Sequence, residues 1–554
     1  MASKADTFDY IVVGGGTAGS IMVNRLSADG ASVCLLEAGP KDRHPFIHIP
    51  AGYIKNIYSP KMTWNFKSKP EPATANRSFP LPQGRVLGGS SSINGLNYVR
   101  GQSADYDNWA QMGNTGWSYG DVLPYFKRSE RRIGPGDDAV RGRDGEIPIT
   151  DLDLIHPVCE AFIEGAAQMG ILRNPDYNSG DQAGTGYFQR TIHKGYRYSA
   201  AKAFLRPARK LPNVDIRTNS QAAEILFEGT RANGVRYLLD GREGNAVEVR
   251  ARREVILCAG ALNTPKLLQL SGIGPAEVLG GLGIKVRVDL HGVGNNLRDH
   301  YGVRMVSTLK GVKTFNSMAR GLPLGLEIMK WLLGRPSLLS VSPSLTHLFW
   351  KSSDALETPD LEYVMTPASF REGTVGLLDN VPGMTVGVWQ MRPESHGYVR
   401  PVSRNPFDPP EINPNYLSDP RDQQVLLRSI HLGRKLMTTA PLQPWLTGKT
   451  NPDQDLQSND ELLDWARREG ITVYHMIGTA RMGPEGDKGA VVDSQLRVRG
   501  LQGLRVADAS VMPVMPSGNT NAPTMMIAEK AADMILGKTL APANPQGLST
   551  GEKL

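Results

Sequence analysis

The hydrophobic pattern of this chain changes period twice before Glu37. Residues 8–13, Phe-Asp-Tyr-Ile-Val-Val, form a short β-branched run; residues 18–28 then space apolar, small and polar positions as a helix does; residues 32–36 return to an apolar run that ends at Glu37. The spacing predicts a βαβ unit. Far downstream, the turn formers of residues 516–523 precede an apolar stretch, 524–535, that predicts a helix. Strand-like segments at 384–391 and 397–401 lie between, in a region that lacks the glycine clusters of the rest, and predict a sheet of a second unit. Residues 321–333 are also apolar, interrupted by Glu327 and Lys330. An amphipathic surface helix is the expectation there, with peripheral membrane contact or the lining of a substrate entrance as the alternative.

The turn joining strand to helix is Gly14-Gly15-Gly16-Thr17-Ala18-Gly19. Gly14 permits a tight turn, Gly16 lets backbone approach a pyrophosphate, and Gly19 lets helix pack on strand, while the helix N-terminus offers free N–H groups to an anion. Glu37, ending the next strand, suits the hydroxyls of an unphosphorylated ribose, so the site fits NAD or FAD better than NADP. A purely structural glycine turn is the plainer reading, but strand, helix and terminal acid all stand where a dinucleotide needs them.

Bulk properties narrow the class. At 554 residues the chain is long enough for two domains with a shared interface. Its excess of 62 Lys and Arg over 55 Asp and Glu is scattered, so no nucleic-acid groove is expected. Cys34, Cys159 and Cys258 read as buried thiols rather than disulfides. The start of the chain has no apolar signal core and no run reaches spanning length, which predicts a cytoplasmic protein. No histidine has metal-ligand spacing, and no metal is expected.

A second small-residue segment, Gly84-Arg85-Val86-Leu87-Gly88-Gly89-Ser90-Ser91-Ser92-Ile93-Asn94-Gly95, suits backbone lying flush against a ligand. It resembles the first signature of the glucose-methanol-choline (GMC) oxidoreductases. Residues 260–275, from Gly260-Ala261-Leu262-Asn263-Thr264-Pro265, resemble the second signature, and Val293-Gly294-Asn295-Asn296-Leu297-Arg298-Asp299-His300 a further family stretch. The resemblance implies an α/β fold: a discontinuous Rossmann-like FAD-binding domain from residues 1–300 and 473–540, a substrate domain with an antiparallel sheet flanked by helices from 301–472, and a loose tail at 541–554. It implies FAD held by Gly14, Gly16, Thr17, Ala18, Gly19, Glu37, Ala38, Val86, Gly89, Asn94, Ala222, Asp508, Ala509 and Asn519. Ile93 stands where some members carry a flavin-linking histidine, so non-covalent FAD is expected.

Taking a hydride from a carbon that bears a hydroxyl is far easier once the hydroxyl proton has gone, and histidine is the base suited to neutral pH. The oxygen left behind needs a donor that does not compete for the proton, and an asparagine amide serves. His475, in Thr472-Val473-Tyr474-His475-Met476-Ile477-Gly478, and Asn519, in Pro516-Ser517-Gly518-Asn519-Thr520-Asn521, fit these roles. On composition alone they read as a structural histidine and a helix cap. The resemblance places them on the family's catalytic pair, and implies oxidation of a primary alcohol to the aldehyde with hydride passing to flavin N5 and on to oxygen or a quinone-type acceptor. A non-catalytic flavin protein and a lyase or decarboxylase on the same fold are the alternatives. His300 is expected to fix a turn near the flavin, and Asn521 to hold its loop or touch the cofactor. Choline-oxidising members have an acid shortly after the Asp-His pair; here Tyr301 and Gly302 follow. Trp64, Tyr98, Phe349, Trp350, Trp389 and Tyr474 are candidates for an aromatic, neutral substrate pocket, or equally for core packing.

Overall fold

The computed structural model describes residues 6–239, 245–371 and 376–543. The start of the chain and most of the expected loose tail, from 544 onward, lie outside these. Two seven-stranded sheets organise the described residues. The first is built on the predicted βαβ unit, Asp6–Val13, Thr17–Ala28 and Val33–Leu36. Its strand order is Val214–Arg217, Val33–Leu36, Asp6–Val13, Ala246–Leu257, Arg231–Leu239, Ser220–Glu228, with Leu504–Val506 beside Ala246–Leu257. The pairings around Asp6–Val13 are parallel, and Tyr10 to Val13 and Val33 to Leu36 are all buried. Covered on both faces, these strands need unbroken apolar runs rather than alternation, as the sequence has.

The C-terminal helix, Asn521–Leu536, packs against Thr17–Ala28 and so brings the two ends of the chain together. Arg25 bridges the helices, pairing with Glu529 at 2.8 Å, and Arg128 pairs with Glu529 and Asp533 at 2.6 and 2.8 Å.

The second sheet is antiparallel, in the order Leu446–Asn451, Tyr301–Leu309, Gly383–Gln390, Leu361–Thr366, Thr346–Trp350, Gly184–Tyr187, with Ile471–Thr472 also beside Tyr301–Leu309. Alternation sorts its two faces. Met305 and Tyr363 turn toward the helix Pro420–Met437, where Tyr363 donates its hydroxyl to Ser429 O at 2.8 Å. Gly302, Arg304, Val364, Thr366, Thr385, Gly387 and Trp389 face the first sheet across a cavity. The edge strand Gly184–Tyr187 comes from upstream of the rest of this sheet. Gly397–Arg400, expected in the same sheet, instead pairs with Asn295–Leu297 and Glu411–Asn413 in a separate three-stranded sheet. Period-2 pattern reveals a strand, but its partner is a matter of register.

The apolar segment after Arg320 is the surface helix Gly321–Leu332, with Glu327 buried and the leucines facing outward. No described helix is long and apolar enough to cross a membrane.

Candidate active site

One continuous cavity runs between the two sheets, and it collects most of the residues singled out in the sequence. Gly14, Gly16, Thr17, Ala18, Glu37, Ala38, Gly89, Asn94, Ala222, Asp508, Ala509, His475 and Asn519 line it. Gly19 and Val86 do not. Gly19 lies where the helix crosses the preceding turn, and Val86 is fully buried in a small cluster with Ile47 and Met62.

The dinucleotide end is a cradle of backbone. Gly88 N–H donates to Gly15 O at 2.7 Å, tying the two glycine segments together, and a Cβ on Gly89 would stand 2.7 Å from Gly16 Cα. Gly16 caps the helix Thr17–Ala28 without a side-chain bond, leaving the first-turn N–H groups to face the cavity. Glu37 accepts from Gly15 N–H at 2.8 Å and Gly39 N–H at 2.7 Å, and burial pushes its carboxyl up to about 7. Each oxygen keeps a lone pair for a ribose hydroxyl. Asp508 is committed to the protein itself: it accepts from Gly260 N–H, Thr264 Oγ1, Ser510 N–H and Ser510 Oγ at 2.6–2.8 Å, fixing the start of the helix Gly260–Leu270. Thr17 Oγ1 donates to Asn521 Oδ1 at 2.8 Å, so Asn521 secures the start of the C-terminal helix. These features fit FAD: a flat cradle without side chains, an anion-ready helix end and a ribose-facing acid, continuous with the space beside His475.

At the other end, Asp299 aligns the loop that carries His475. Its fully buried side chain accepts from the backbone N–H of His300 at 2.9 Å and of His475 at 2.6 Å, and from the hydroxyls of Thr472 and Tyr416. Burial nonetheless raises its carboxyl to about 6. Tyr474, just before His475, has φ of 67°, a conformation that costs a non-glycine residue energy and that the surrounding bonds enforce.

A chain of hydrogen bonds then sets the His475 tautomer. His300 Nε2 lies 2.7 Å from Met391 O; a carbonyl only accepts, so this nitrogen carries the proton. Burial lowers His300 to about 4, so the ring is neutral and its Nδ1 must accept. His475 Nδ1, 2.8 Å away, therefore donates, and the lone pair of His475 is on Nε2. Asn519 Nδ2 donates to that nitrogen at 3.0 Å. Burial and His300 hold His475 well below the ordinary imidazole range, so it too is neutral. Asn519 Oδ1 has no partner among the described residues, leaving a buried polar atom at the cavity wall.

Ser517 anchors the Asn519 loop, donating through N–H and Oγ to Asp105 at 2.7 and 2.8 Å, while Arg392 donates to Ser517 Oγ at 2.9 Å and Gln182 to Ser517 O at 2.8 Å. Gly518 has φ of +135°, and a Cβ there would stand 2.4 Å from Val99 Cγ1.

Of the aromatic candidates, Trp64, Trp389 and Tyr474 line the cavity; Tyr98, Phe349 and Trp350 do not. Tyr98 is fully buried with its hydroxyl donating to Glu130 at 3.1 Å, and Phe349 packs on Tyr177. Arg304, which sequence reasoning missed, reaches the cavity wall from Tyr301–Leu309 beside Tyr53 and Tyr474, and burial lowers its guanidinium. His300, expected to fix a turn near the flavin, is in direct contact with His475. Only the strand register could have revealed either. Among the described residues no group of three metal-ligating side chains could hold a metal ion.

Two family models, both described as GMC oxidoreductase, match the chain over residues 8–302 and 393–528. The chain belongs to this family. It is similar to an oxygen-dependent choline dehydrogenase of Photobacterium profundum, 39% identical over 97% of this chain and 94% of the relative. An alcohol dehydrogenase [acceptor] of Pseudomonas putida is 38% identical, covering 96% of each chain. Among solved structures, pyridoxine 4-oxidase from Mesorbium loti superposes with a TM-score of 0.85 at 29% identity, over 96% of this chain and 100% of that one. The chain is an FAD-binding oxidoreductase that acts on CH–OH donors.

Proposed function

We propose that His475 removes the hydroxyl proton of a primary alcohol through Nε2, with Asn519 steadying the alcohol oxygen, and that the product is the aldehyde. Bound FAD supplies the acceptor for the hydride that leaves the carbinol carbon. Oxygen or a quinone-type acceptor takes the electrons afterward. The observation that carries this reading is the His475 tautomer: the Nδ1 proton is held by His300, and the basic lone pair faces the Asn519 amide at the cavity wall. A neutral imidazole accepts the proton without first losing one, and the asparagine donor costs nothing in charge when the oxygen becomes anionic. Gly14, Gly16, Thr17, Ala18, Glu37 and Ala38 would hold the ADP part of FAD, with Ala222 at the adenine. Gly89, Asn94 and Ala509 would lie along the rest, and Gly19, Val86 and Asp508 would act by shaping the backbone around it. Ile93, on the wall and lacking a nucleophile, leaves FAD non-covalent. Residues 1–300 with 473–540 then form the FAD-binding unit and 301–472 the substrate unit, the latter's sheet completed by Gly184–Tyr187.

Tyr301 and Gly302 follow the Asp299-His300 pair, so no acid stands there to meet a trimethylammonium, which favours uncharged alcohols over choline. The test is anaerobic: purified protein is mixed with benzyl alcohol, a straight-chain primary alcohol and choline, and the flavin absorbance is followed. The reading expects bleaching by the first two and a much slower response to choline. Flavin that no alcohol bleaches would leave a non-catalytic binding role; fast bleaching by choline would remove the preference for uncharged alcohols.

A further inference from the structure

In the helix Gly321–Leu332 the one acid, Glu327, is 4% exposed, whereas Leu322 is 88%, Leu326 64%, Met329 57% and Leu332 67% exposed, and Leu333, just beyond, 65%. Leu322, Leu326, Met329 and Leu333 follow at spacings of four, three and four, one stripe along the outer face. Leu324, Glu327 and Trp331 form the inner stripe. Hydrogen bonds fix which stripe faces out. The Glu327 carboxylate accepts from Leu338 N–H at 2.8 Å and Lys330 Nζ at 2.6 Å, and its carbonyl accepts from Ser337 Oγ at 2.7 Å. The Trp331 indole donates to Gly195 O at 2.8 Å, with its ring edge-on to Tyr196. The helix cannot roll its leucines inward without breaking this set.

What covers such a stripe is constrained by size and charge. Twelve residues span about 18 Å and present five large exposed apolar side chains, counting Ile328, with Leu333 just beyond. A stable dimer interface takes about 20–30 residues on each side, so the stripe alone is too small for one. A lipid surface accepts a short helix lying flat at the headgroup boundary. Across residues 310–335 the chain carries Lys310, Lys313, Arg320, Lys330 and Arg335, all exposed, against Glu327 alone, which is buried and paired with Lys330. That balance suits anionic headgroups. The helix also adjoins the cavity. The turn Leu338–Ser340 after it packs on Pro50–Gly52, the next helix carries Tyr53 into the cavity wall, and Pro343 and Ser344 line the same wall.

We propose that the helix Gly321–Leu332 docks the protein flat on an anionic lipid bilayer, its leucine stripe among the acyl chains and the surrounding cations at the headgroups. The wall around Tyr53, Pro343 and Ser344 is thereby held close to the membrane, from which an apolar alcohol can reach the cavity. Docking does not depend on the chemistry proposed for His475, and the two are read separately. The FAD-loaded protein is floated with phosphatidylcholine vesicles containing phosphatidylglycerol, with phosphatidylcholine vesicles alone, and without lipid. The expected result is flotation with the mixed vesicles, less with the neutral ones, and its loss in the double variant Leu326→Glu, Met329→Glu. That variant should keep its flavin spectrum, melting temperature and bleaching by a short-chain alcohol in solution. Protein that stays with the buffer in every arm overturns the proposal, as does a double variant that floats like the parent. A parent that elutes as a dimer, becomes a monomer in the double variant and never floats would overturn it in favour of a second copy of the chain.

Discussion

The Nδ1 atoms of His300 and His475 stand 2.8 Å apart, although 175 residues separate them in sequence. Because the other nitrogen of His300 is spent on the Met391 carbonyl, that contact leaves His475 one basic nitrogen, Nε2, beside Asn519. His300 is in this account a positioning residue, acting on the reaction through the ring it orients.

Replacing His300 with Phe removes both the acceptor for His475 Nδ1–H and the donor to Met391. The rate of flavin reduction by alcohol should fall about tenfold, the equivalent of the ~1–1.5 kcal/mol of one buried hydrogen bond. His300→Gln, with an acceptor and a donor on one end, should recover part of it, while the FAD content of both variants stays at the parent level. Rapid-mixing absorbance with both variants measures this; equal rates for Phe and Gln would separate His300 from the tautomer.

The pH profile follows from the direction of the His475 shift. Protonation at Nε2 removes the base, and since burial and His300 hold its pKa well below 6.5, the competent neutral form persists as pH falls through that value. The acid limb of the flavin-reduction rate should therefore lie below pH 6.5, with a plateau across neutral pH. Stopped-flow reduction at a series of pH values locates it, and a limb at or above 6.5 would contradict the buried, neutral assignment.

Gly518→Ala should separate catalysis from cofactor binding. With φ at +135° and Val99 Cγ1 only 2.4 Å from where the Cβ would be, the loop must shift, and Asn519 with it. The alcohol-driven rate should drop by about 10²-fold while FAD remains bound, as absorbance of the purified variant will report.

Glu362 gives a prediction about stability. It is fully buried opposite Trp389 in the sheet, and neither carboxylate oxygen has a hydrogen-bond partner among the described residues; the Trp389 indole is near but outside bonding geometry. Burial raises its carboxyl from 4.5 to about 8. The folded state thus holds a proton that the unfolded state has released, so its contribution is full below pH 4.5 and is lost as pH rises toward 8, by about 4–5 kcal/mol in total. Glu362→Gln should melt well above the parent at pH 9 and close to it at pH 5. A thermal melt of both proteins at the two pH values tests this, and equal gaps would remove the buried charge as the cause.

Local pattern made part of this legible in the sequence. The βαβ unit, the glycine cradle and Glu37 follow from short-range geometry, whereas His475 and Asn519 read locally as a structural histidine and a helix cap and stand out only through the family resemblance. Contacts that depend on register did not. His300 meets His475, and Arg304 meets the cavity, because Tyr301–Leu309 pairs with Ile471–Thr472 on one side and Gly383–Gln390 on the other, which no local pattern encodes. Gly397–Arg400 was recognisable as a strand but not as a member of a separate sheet, for the same reason. Periodicity in residues 321–333 likewise revealed two faces without saying which one the buried Glu327 would turn inward.

The central claim is that His475 takes the hydroxyl proton, and the most direct measurement is anaerobic flavin reduction by an alcohol in His475→Ala beside the parent protein. The account predicts yellow, FAD-loaded variant protein whose flavin is reduced about 10²- to 10⁴-fold more slowly. Reduction at the parent rate, with the cofactor equally bound, would contradict it.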